Sequence, residues 1–275
     1  MNCPGPRPFD GADFRDVAIS RSIILLIAGI VAGLMNAIAG GGTIVTFPAL
    51  IFTGISSIGA NATSTVALLP GTLAGLFGYR HNIPAVYHWI KAFALTSATG
   101  GLIGGILLTR TPGPLFDRLV PFLILFATVL FTTRDFFMHL FRLEKRSAQT
   151  TSSLWIGGAI AFQFLVAIYG GYFGAGIGIL MLATLGVLGF DHIHEMNTVK
   201  GLLGFLINAI AAVYFVFSGL IDWRAAGIVA AGSMAGGYSG AYFAQKIPQQ
   251  TVRYMISGIG FAITAVMFYK QIARG

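Results

Sequence analysis

The stretch that decides the fold is IILLIAGIVAGLMNAIAGGGTIVTFPAL, residues 23–50. It starts as an apolar run long enough to enter a bilayer and is then interrupted by Gly40, Gly41 and Gly42. Glycine in a helix interior costs roughly 1 kcal/mol relative to alanine, so three in succession predict a broken helix. Broken backbone at membrane depth is tolerated only where it is buried in protein or lines a cavity. The stretch therefore predicts a membrane protein with an interrupted helix beside an internal cavity.

A second glycine-rich stretch has the same character and reads YGGYFGAGIG at residues 169–178. Backbone N–H groups that are freed at the N-terminus of a half-helix attract anions. We predict that such groups around the two breaks bind an anion, at Gly40, Gly41, Gly42, Gly176 and Gly178. The alternative is that glycines only allow close helix packing, which is our interpretation of Gly100, Gly101 and Gly104.

The composition of the whole chain agrees with a membrane location. Of 275 residues, 56% are hydrophobic and 9% are charged, whereas roughly 25% of the residues of a soluble domain are charged. So few charges could not cover the surface of a soluble protein. The net charge of +8 would suggest nucleic-acid binding in a soluble chain, but here the basic residues lie between apolar runs, as membrane topology requires. We therefore predict no nucleic-acid partner and expect the first membrane helix, rather than a cleavable signal, to direct insertion.

Apolar segments of about 20 residues are needed to span ~30 Å of hydrocarbon. Eight segments approach this length, at about 17–36, 59–79, 87–109, 115–134, 153–173, 196–217, 225–245 and 251–270. Two shorter apolar segments follow the glycine clusters, at about 40–54 and 176–190. The sequence therefore predicts an all-α polytopic membrane protein with 8–10 spans.

The two halves of the chain resemble each other at a fixed offset. A shift of 136 positions, without a gap, pairs Gly42 with Gly178 and Asn61 with Asn197. The matched residues are largely Gly, Pro and Asn, which have backbone roles, and internal repeats are common in transporters. We predict two homologous halves, each with four transmembrane helices and one short glycine-broken segment, re-entrant or crossing. The predicted parts are a cytoplasmic N-terminal segment (1–16), a first transmembrane repeat (17–141), a polar linker (142–152) and a second transmembrane repeat (153–275).

The distribution of Lys and Arg distinguishes two topologies. If each short segment enters and leaves the same face, eight helices cross, the halves are parallel repeats, and most of the 17 basic residues lie on one side. Since basic residues accumulate on the cytoplasmic side, both termini are then predicted to be cytoplasmic. If the short segments cross, there are ten spans, the halves are inverted repeats, and the basic residues divide almost evenly. We favour the eight-span arrangement and keep the ten-span arrangement open.

A polar segment begins the helix that follows each short segment. Its amide and hydroxyl side chains can donate to a ligand without much bulk, and a lysine near the bilayer centre, which costs ~2.5–3.5 kcal/mol, usually faces a cavity or a partner. We predict that six such residues bind the anion: Asn61, Thr63 and Ser64 in the first half, and Asn197, Thr198 and Lys200 in the second. Lys200 supplies the positive charge in this interpretation. The alternative is that its side chain extends to the membrane interface.

Other polar residues carry weaker patterns. Gln163 lies within an apolar segment and Arg80 ends another, so each could line a cavity or form a gate. For Gln163 a helix–helix hydrogen bond is equally open, and for Arg80 we favour a topological role over a gate. His192 and His194 lack the i, i+4 spacing of a zinc-binding helix, so we predict no metal. Without a catalytic constellation or a nucleotide loop, we predict no enzyme activity and no cofactor.

These motifs resemble the TauE/SafE sulfite exporter family, also called the toluene-sulfonate uptake permease family. The resemblance covers residues 20–270 and rests on the glycine run with downstream Pro48, on residues 61–80, and on the Gly176/Gly178 and 198–200 motifs. It implies transport of sulfite, organosulfonates or related small anions, usually outward, across a bacterial inner membrane.

The sequence thus predicts a small-anion transporter in which one repeat rocks against the other around a site at the middle of the bilayer. An anion channel, a passive uniporter and a membrane assembly factor that transports nothing remain alternatives. Proton coupling and a homo-oligomer are both compatible with the sequence. The substrate, the direction and the coupling ion are left open.

Overall fold

The computed structural model describes residues 11–38, 41–76, 81, 83–133, 153–188, 190, 193–243 and 249–272. All regular secondary structure in these residues is helical, which confirms the all-α prediction. The helices are α1 (Gly11–Ile38), α2 (Thr43–Phe52), α3 (Ser57–Leu76), α4 (Ile83–Arg110), α5 (Gly113–Thr132), α6 (Ser153–Tyr172), α7 (Ile177–Val187), α8 (Ile193–Phe217), α9 (Trp223–Phe243) and α10 (Gln249–Ile272). Each of the ten apolar segments read from the sequence corresponds to one helix. The predicted linker, 142–152, lies outside the described residues.

The two glycine clusters produce two short helices. Helix α2 has 10 residues and α7 has 11. At 1.5 Å per residue each is about 15–17 Å long, roughly half of the hydrocarbon thickness. Each therefore begins in the interior of the helix bundle, directly after the glycines that interrupt the helical structure.

Four stretches of the described residues are long and apolar enough to cross a membrane: Ile19–Ala37, Ile83–Arg110, Gly113–Thr132 and Glu195–Phe217. The predicted spans in α3, α6, α9 and α10 are absent from this set; the apolar parts found in α6 and α10, Gly157–Tyr172 and Ser257–Tyr269, are shorter. Helix α3 is rich in Thr, Ser and Gly, and α9 in Gly and Ala, and these small or polar residues lower the mean hydropathy. Both helices pack extensively on other helices, where small residues allow close approach.

Glycines join the long helices at very short distances. A Cβ atom added at Gly104 of α4 would lie 2.1 Å from the carbonyl oxygen of Ile168 in α6. One added at Gly236 of α9 would lie 2.0 Å from the carbonyl oxygen of Ile30 in α1. Gly100 and Gly101 have similarly close neighbours in α6 and α8. The packing role predicted for Gly100, Gly101 and Gly104 is confirmed.

Helices α3 and α8, which the offset of 136 residues pairs, run in opposite directions. The start of α3 lies beside the end of α8, since a Cβ at Gly59 would lie 3.3 Å from the Leu220 carbonyl oxygen. At the other end, Leu76 of α3 lies against Gly201 near the start of α8. Parallel repeats would require these helices to run in the same direction, so the favoured parallel arrangement is wrong. In the inverted arrangement Lys and Arg are divided almost evenly between the two sides of the membrane. Their distribution therefore no longer predicts on which side the termini lie.

The helix directions define two faces of the bundle. Face I is where α1, α3, α5 and α9 begin, and face II is where α4, α6, α8 and α10 begin. Glycine contacts show α1 parallel to α9 and α4 parallel to α6. Helix α5 runs antiparallel to α10, with Thr132 bonded to Ser257 and Phe122 against Phe268.

The two groups of five helices interlock. The most extensive helix contacts are α1 with α9 and α4 with α6, followed by α3 with α9 and α4 with α8. Helices α4 and α9 are the fourth helices of their halves. Helix α4 packs on α6 and α8, the first and third helices of the second half, and α9 packs on α1 and α3, the first and third helices of the first half. Each fourth helix therefore buries glycines against the other half.

Candidate functional site

A cavity of about 80 Å³ lies where the two short helices begin. It is lined by α1, α3 and α8 and by the two glycine-rich segments that precede α2 and α7. Its lining residues are Asn36, Gly41, Thr43, Thr65, Leu68, Leu69, Thr72, Gly174, Ile177, Gly178, Met181, Lys200, Gly201, Gly204 and Asn208. The lining of α3 comes from its second half and that of α8 from its first half, so the cavity lies toward face II.

The first break brings the start of α2 to the cavity. Gly41 has φ +100°, a left-handed conformation that glycine adopts without steric cost. Gly42 is the N-cap of α2, and its backbone N–H donates to Asn36 Oδ1 at 2.8 Å. The amide of Asn36 thus fixes the turn between α1 and α2. Thr43, the first residue of α2, lines the cavity.

The second break brings the start of α7 to the same cavity. Gly174 and Gly176 have φ +77° and +78°, and Gly176 is the N-cap of α7 without a side-chain capping bond. The first amides of a helix have no partner within the helix and carry a partial positive charge. Ile177 and Gly178, in the first turn of α7, line the cavity. Two helix N-termini therefore lie at one small cavity.

Lys200 adds a full positive charge to this space. Its side chain is 9% exposed, and its Nζ donates to Asn197 Oδ1 at 3.0 Å. The lining residues given above include no Asp or Glu. The electrostatics of the cavity therefore favour a bound anion and disfavour a cation.

The structure brings some of the predicted site residues together at this cavity. Gly41, Gly178 and Lys200 line it, while Gly42 and Asn197 each contact a lining residue. Gly176 does not line the cavity but packs against α5, since a Cβ atom added to it would lie 3.5 Å from Ala127. Gly40 and Arg80 lie outside the described residues.

Other predicted site residues have different partners. Asn61 Nδ2 donates to the Tyr172 carbonyl oxygen at 2.8 Å, Thr63 Oγ1 accepts from the Asp222 N–H at 3.0 Å, and the Ser64 hydroxyl pairs with that of Thr46. Thr198 is fully buried and absent from the lining. Gln163 donates to Ser97 Oγ between α6 and α4, which is the helix–helix alternative. These residues hold the helices around the cavity rather than lining it.

Several polar lining residues were missed by reading the sequence: Asn36, Thr43, Thr65, Thr72 and Asn208. Two signals could have found them. Asn36 and Asn208 are amides within otherwise apolar helices, and membrane-buried polar groups usually have a functional reason. The offset of 136 residues also pairs Thr72 with Asn208.

An aromatic cluster closes the bundle between the cavity and face I. Phe47 of α2 contacts Phe173 with ring centroids 5.3 Å apart and Phe116 of α5 at 6.4 Å. Tyr172 packs on Phe116 at 5.7 Å, and its hydroxyl bonds to that of Thr111 at 3.3 Å. The three phenylalanines are at most 1% exposed. The cluster is therefore a tightly packed, buried layer on the face I side of the cavity.

Comparison with known proteins gives related transporters over nearly the whole chain. A probable membrane transporter protein of Haemophilus influenzae is 28% identical over 263 residues, covering 93% of this chain and 98% of that protein. A probable membrane transporter protein, ORF9, of Sinorhizobium sp is 24% identical, covering 90% of this chain and 93% of that protein. The probable membrane transporter protein YfcA of Escherichia coli K12 is 23% identical, covering 90% of each chain.

No solved structure matches the chain significantly. A family model described as sulfite exporter TauE/SafE matches residues 25–267. That range contains both chain breaks, Lys200 and every lining residue of the cavity. The chain is a membrane transporter protein that belongs to the TauE/SafE sulfite exporter family.

Proposed function

We propose that this protein exports small anions of the sulfite or organosulfonate type across a bacterial inner membrane by alternating access. The observation that carries the proposal is the meeting of two short-helix N-termini with Lys200 in one cavity. The family's description as sulfite exporters supports the choice of anion.

The charge of the cavity supports an anionic substrate. Lys200 brings a positive charge to the cavity wall, and a nearby anion is attracted to that charge. The backbone N–H groups of Thr43, Ile177 and Gly178, in the first turns of α2 and α7 at the cavity, would donate to the same ligand. Those of Gly42 and Ile44 are already bonded to Asn36 Oδ1 and to the Gly41 carbonyl oxygen. Asn36, Thr65 and Asn208 add side-chain amide and hydroxyl groups to the wall.

The size of the cavity supports a compact oxyanion in this conformation. One water needs ~10–15 Å³ of such space, so a cavity of about 80 Å³ accommodates an ion of a few heavy atoms. Sulfite meets this limit. A bulky organosulfonate requires the cavity to widen toward face II.

The buried aromatic cluster on the face I side supports a carrier over a channel. A channel needs a continuous path in its open state, whereas the aromatic cluster around Phe47 closes the bundle at face I. Alternating access would then open face I by separating α2 and α3 from the end of α6, and it would close face II around Lys200. Helices of opposite direction around one site are the arrangement on which such rocking is commonly built.

The proposal is tested by sulfite flux in proteoliposomes. Wild-type flux should saturate with sulfite concentration and show counterflow, which a channel does not. Lys200→Ala should lower flux at least about tenfold, equivalent to ~1.4 kcal/mol of lost stabilisation. Lys91→Ala is the matched control, because Lys91 is an exposed lysine that lies over the Tyr87 ring. Equal flux in wild type and a folded Lys200→Ala variant would exclude the site and favour a role in which Lys200 binds no substrate.

A further inference from the structure

Asn61 holds a buried oxygen atom that the anion cavity does not use. The residue is 1% exposed and its Nδ2 donates to the Tyr172 carbonyl oxygen. Its Oδ1 is buried and has no hydrogen-bond partner among the described residues. A buried acceptor left without a donor is destabilising. A ligand that binds to oxygen would therefore stabilise Oδ1 of Asn61.

Further oxygen atoms lie on the same side of α3. Ser64 follows Asn61 by three residues, so the two share one helix face. Its hydroxyl pairs with Thr46 Oγ1 of α2, and both residues are fully buried. Thr46 Oγ1 also donates to the Gly42 carbonyl oxygen at 3.3 Å, so Ser64 is the donor to Thr46. The lone pairs of Ser64 Oγ then remain available to a ligand.

The end of α6 adds carbonyl groups with negative character. Tyr172 is the last residue of α6, and the last carbonyls of a helix lack partners within it and carry partial negative charge. The bond from Asn61 Nδ2 holds this end of α6 against α3. Thr46 of α2 and the Tyr172 carbonyl group of α6 are thus each hydrogen-bonded to the same face of α3, through Ser64 and Asn61, on the face I side of the cavity.

This oxygen set fits a small monovalent cation. Carbonyl and hydroxyl oxygens are the ligands of hard cations. None of the named groups is a carboxylate, so a divalent ion would leave most of its charge uncompensated in the interior. Amide and hydroxyl oxygens do not hold a proton near neutral pH, which argues against the proton as the ion bound here. Half-helix ends and unwound carbonyls coordinate sodium in other transporter folds.

We propose that Asn61, Ser64 and Thr46, with the carbonyl end of α6, bind a sodium ion that is carried together with the anion. This inference rests on the proposed anion transport. Ser64 directly precedes Thr65 of the cavity wall, so the cation lies close to the anion and offsets its charge. Thr46 directly precedes Phe47 of the aromatic cluster. Opening face I separates α2 and α3 from α6 and takes the sodium ligands apart, which couples release of the ion to the conformational change.

Binding is tested on the purified full-length protein by thermal unfolding in sodium, potassium and N-methyl-D-glucamine chloride at equal ionic strength. Sodium should raise the unfolding midpoint of the wild type above that in the other two salts. The shift should disappear in Asn61→Ala and in Ser64→Ala; the second variant keeps the bond to Tyr172. Thr128→Val, which removes a buried hydroxyl bonded within α5, should keep the shift. Lys200→Ala should also keep it, because Lys200 belongs to the anion cavity.

Coupling is tested by sulfite flux in proteoliposomes. Replacing sodium by N-methyl-D-glucamine should lower flux about tenfold, within the range that coupling between two sites commonly spans. Equal midpoints in the three salts, as expected of a bound water, would overturn the sodium site. Sulfite flux that does not depend on sodium would overturn the coupling and leave the proposed anion transport standing. Sodium stabilisation without sulfite flux in any salt would instead overturn the anion transport and, with it, the coupling.

Discussion

Around the cavity, the half from α1 to α5 and the half from α6 to α10 contribute corresponding stretches of backbone but different side chains. Each supplies a glycine break, a short helix of 10 or 11 residues and the middle of a long helix. At the offset of 136 residues, however, Ser64 stands where the second half has Lys200. Leu68 likewise stands where the second half has Gly204. The backbone provides two similar helix N-termini, and the side chains decide the charge and the shape of the site.

The aromatic cluster on the face I side also reflects a difference between the side chains at paired positions of the two halves. Phe47 of the aromatic cluster corresponds to Ala183 in α7. Phe116 corresponds to Val252. The second half thus has small or aliphatic residues where the first half has rings.

The largest expected effect is on folding and tests whether the interlocking helices are needed. Gly236→Ala should destabilise the protein by several kcal/mol or prevent folding, because its Cβ would lie 2.0 Å from a backbone oxygen of α1 and could be accommodated only by separating α1 from α9. Thermal unfolding and expression level measure the effect. Gly227→Ala is the control on the same helix, since no atom lies within 4 Å of its added Cβ, and it should be neutral or stabilising. A stable Gly236→Ala variant would contradict the close packing of α1 and α9.

A smaller effect, on flux alone, is expected when the difference between Leu68 and Gly204 is removed. Gly204→Leu should fill most of the cavity of about 80 Å³ and lower sulfite flux at least about tenfold, or ~1.4 kcal/mol. The thermal midpoint should hardly change, because no atom lies within 4 Å of a Cβ at Gly204. Gly258→Leu in α10 has the same open surroundings away from the cavity and should retain flux. Undiminished flux in Gly204→Leu would place the transport route elsewhere.

The smallest effect is expected from the converse change in the first half. Leu68→Ala should widen the cavity and raise the rate for larger organosulfonates relative to sulfite by roughly three- to tenfold, at the low end of what a change of pocket size gives. Competition between sulfite and an aromatic sulfonate in the flux assay measures this ratio. Leu95→Ala is the control because Leu95 is 73% exposed on α4. An unchanged ratio in Leu68→Ala would mean that the wall at Leu68 does not limit substrate size.

Much of the fold could be predicted because local signals decide it. Apolar runs of fixed length specify membrane helices, and consecutive glycines specify where a helix breaks, since both depend on the free energy of a few neighbouring residues. Lys200 stood out in the sequence for the same reason, because a charge within an apolar helix requires a polar environment. The candidate site could be predicted only in part. Gly41, Gly178 and Lys200 line the cavity, whereas Asn61 and Thr63 bond to α6 and to the start of α9 instead.

By itself, then, the sequence determined an all-helical membrane protein with two broken helices and one buried lysine. Only the tertiary structure decided that α3 and α8 run in opposite directions. The number of Lys and Arg residues in the loops carries no information about which helices are in contact. The tertiary structure also decided that Asn36 and Asn208 line the cavity while the amide of Asn61 is turned toward α6. The direction of a side chain depends on the crossing of helices that are distant in the chain. Here those crossings are set by glycine contacts between the two halves.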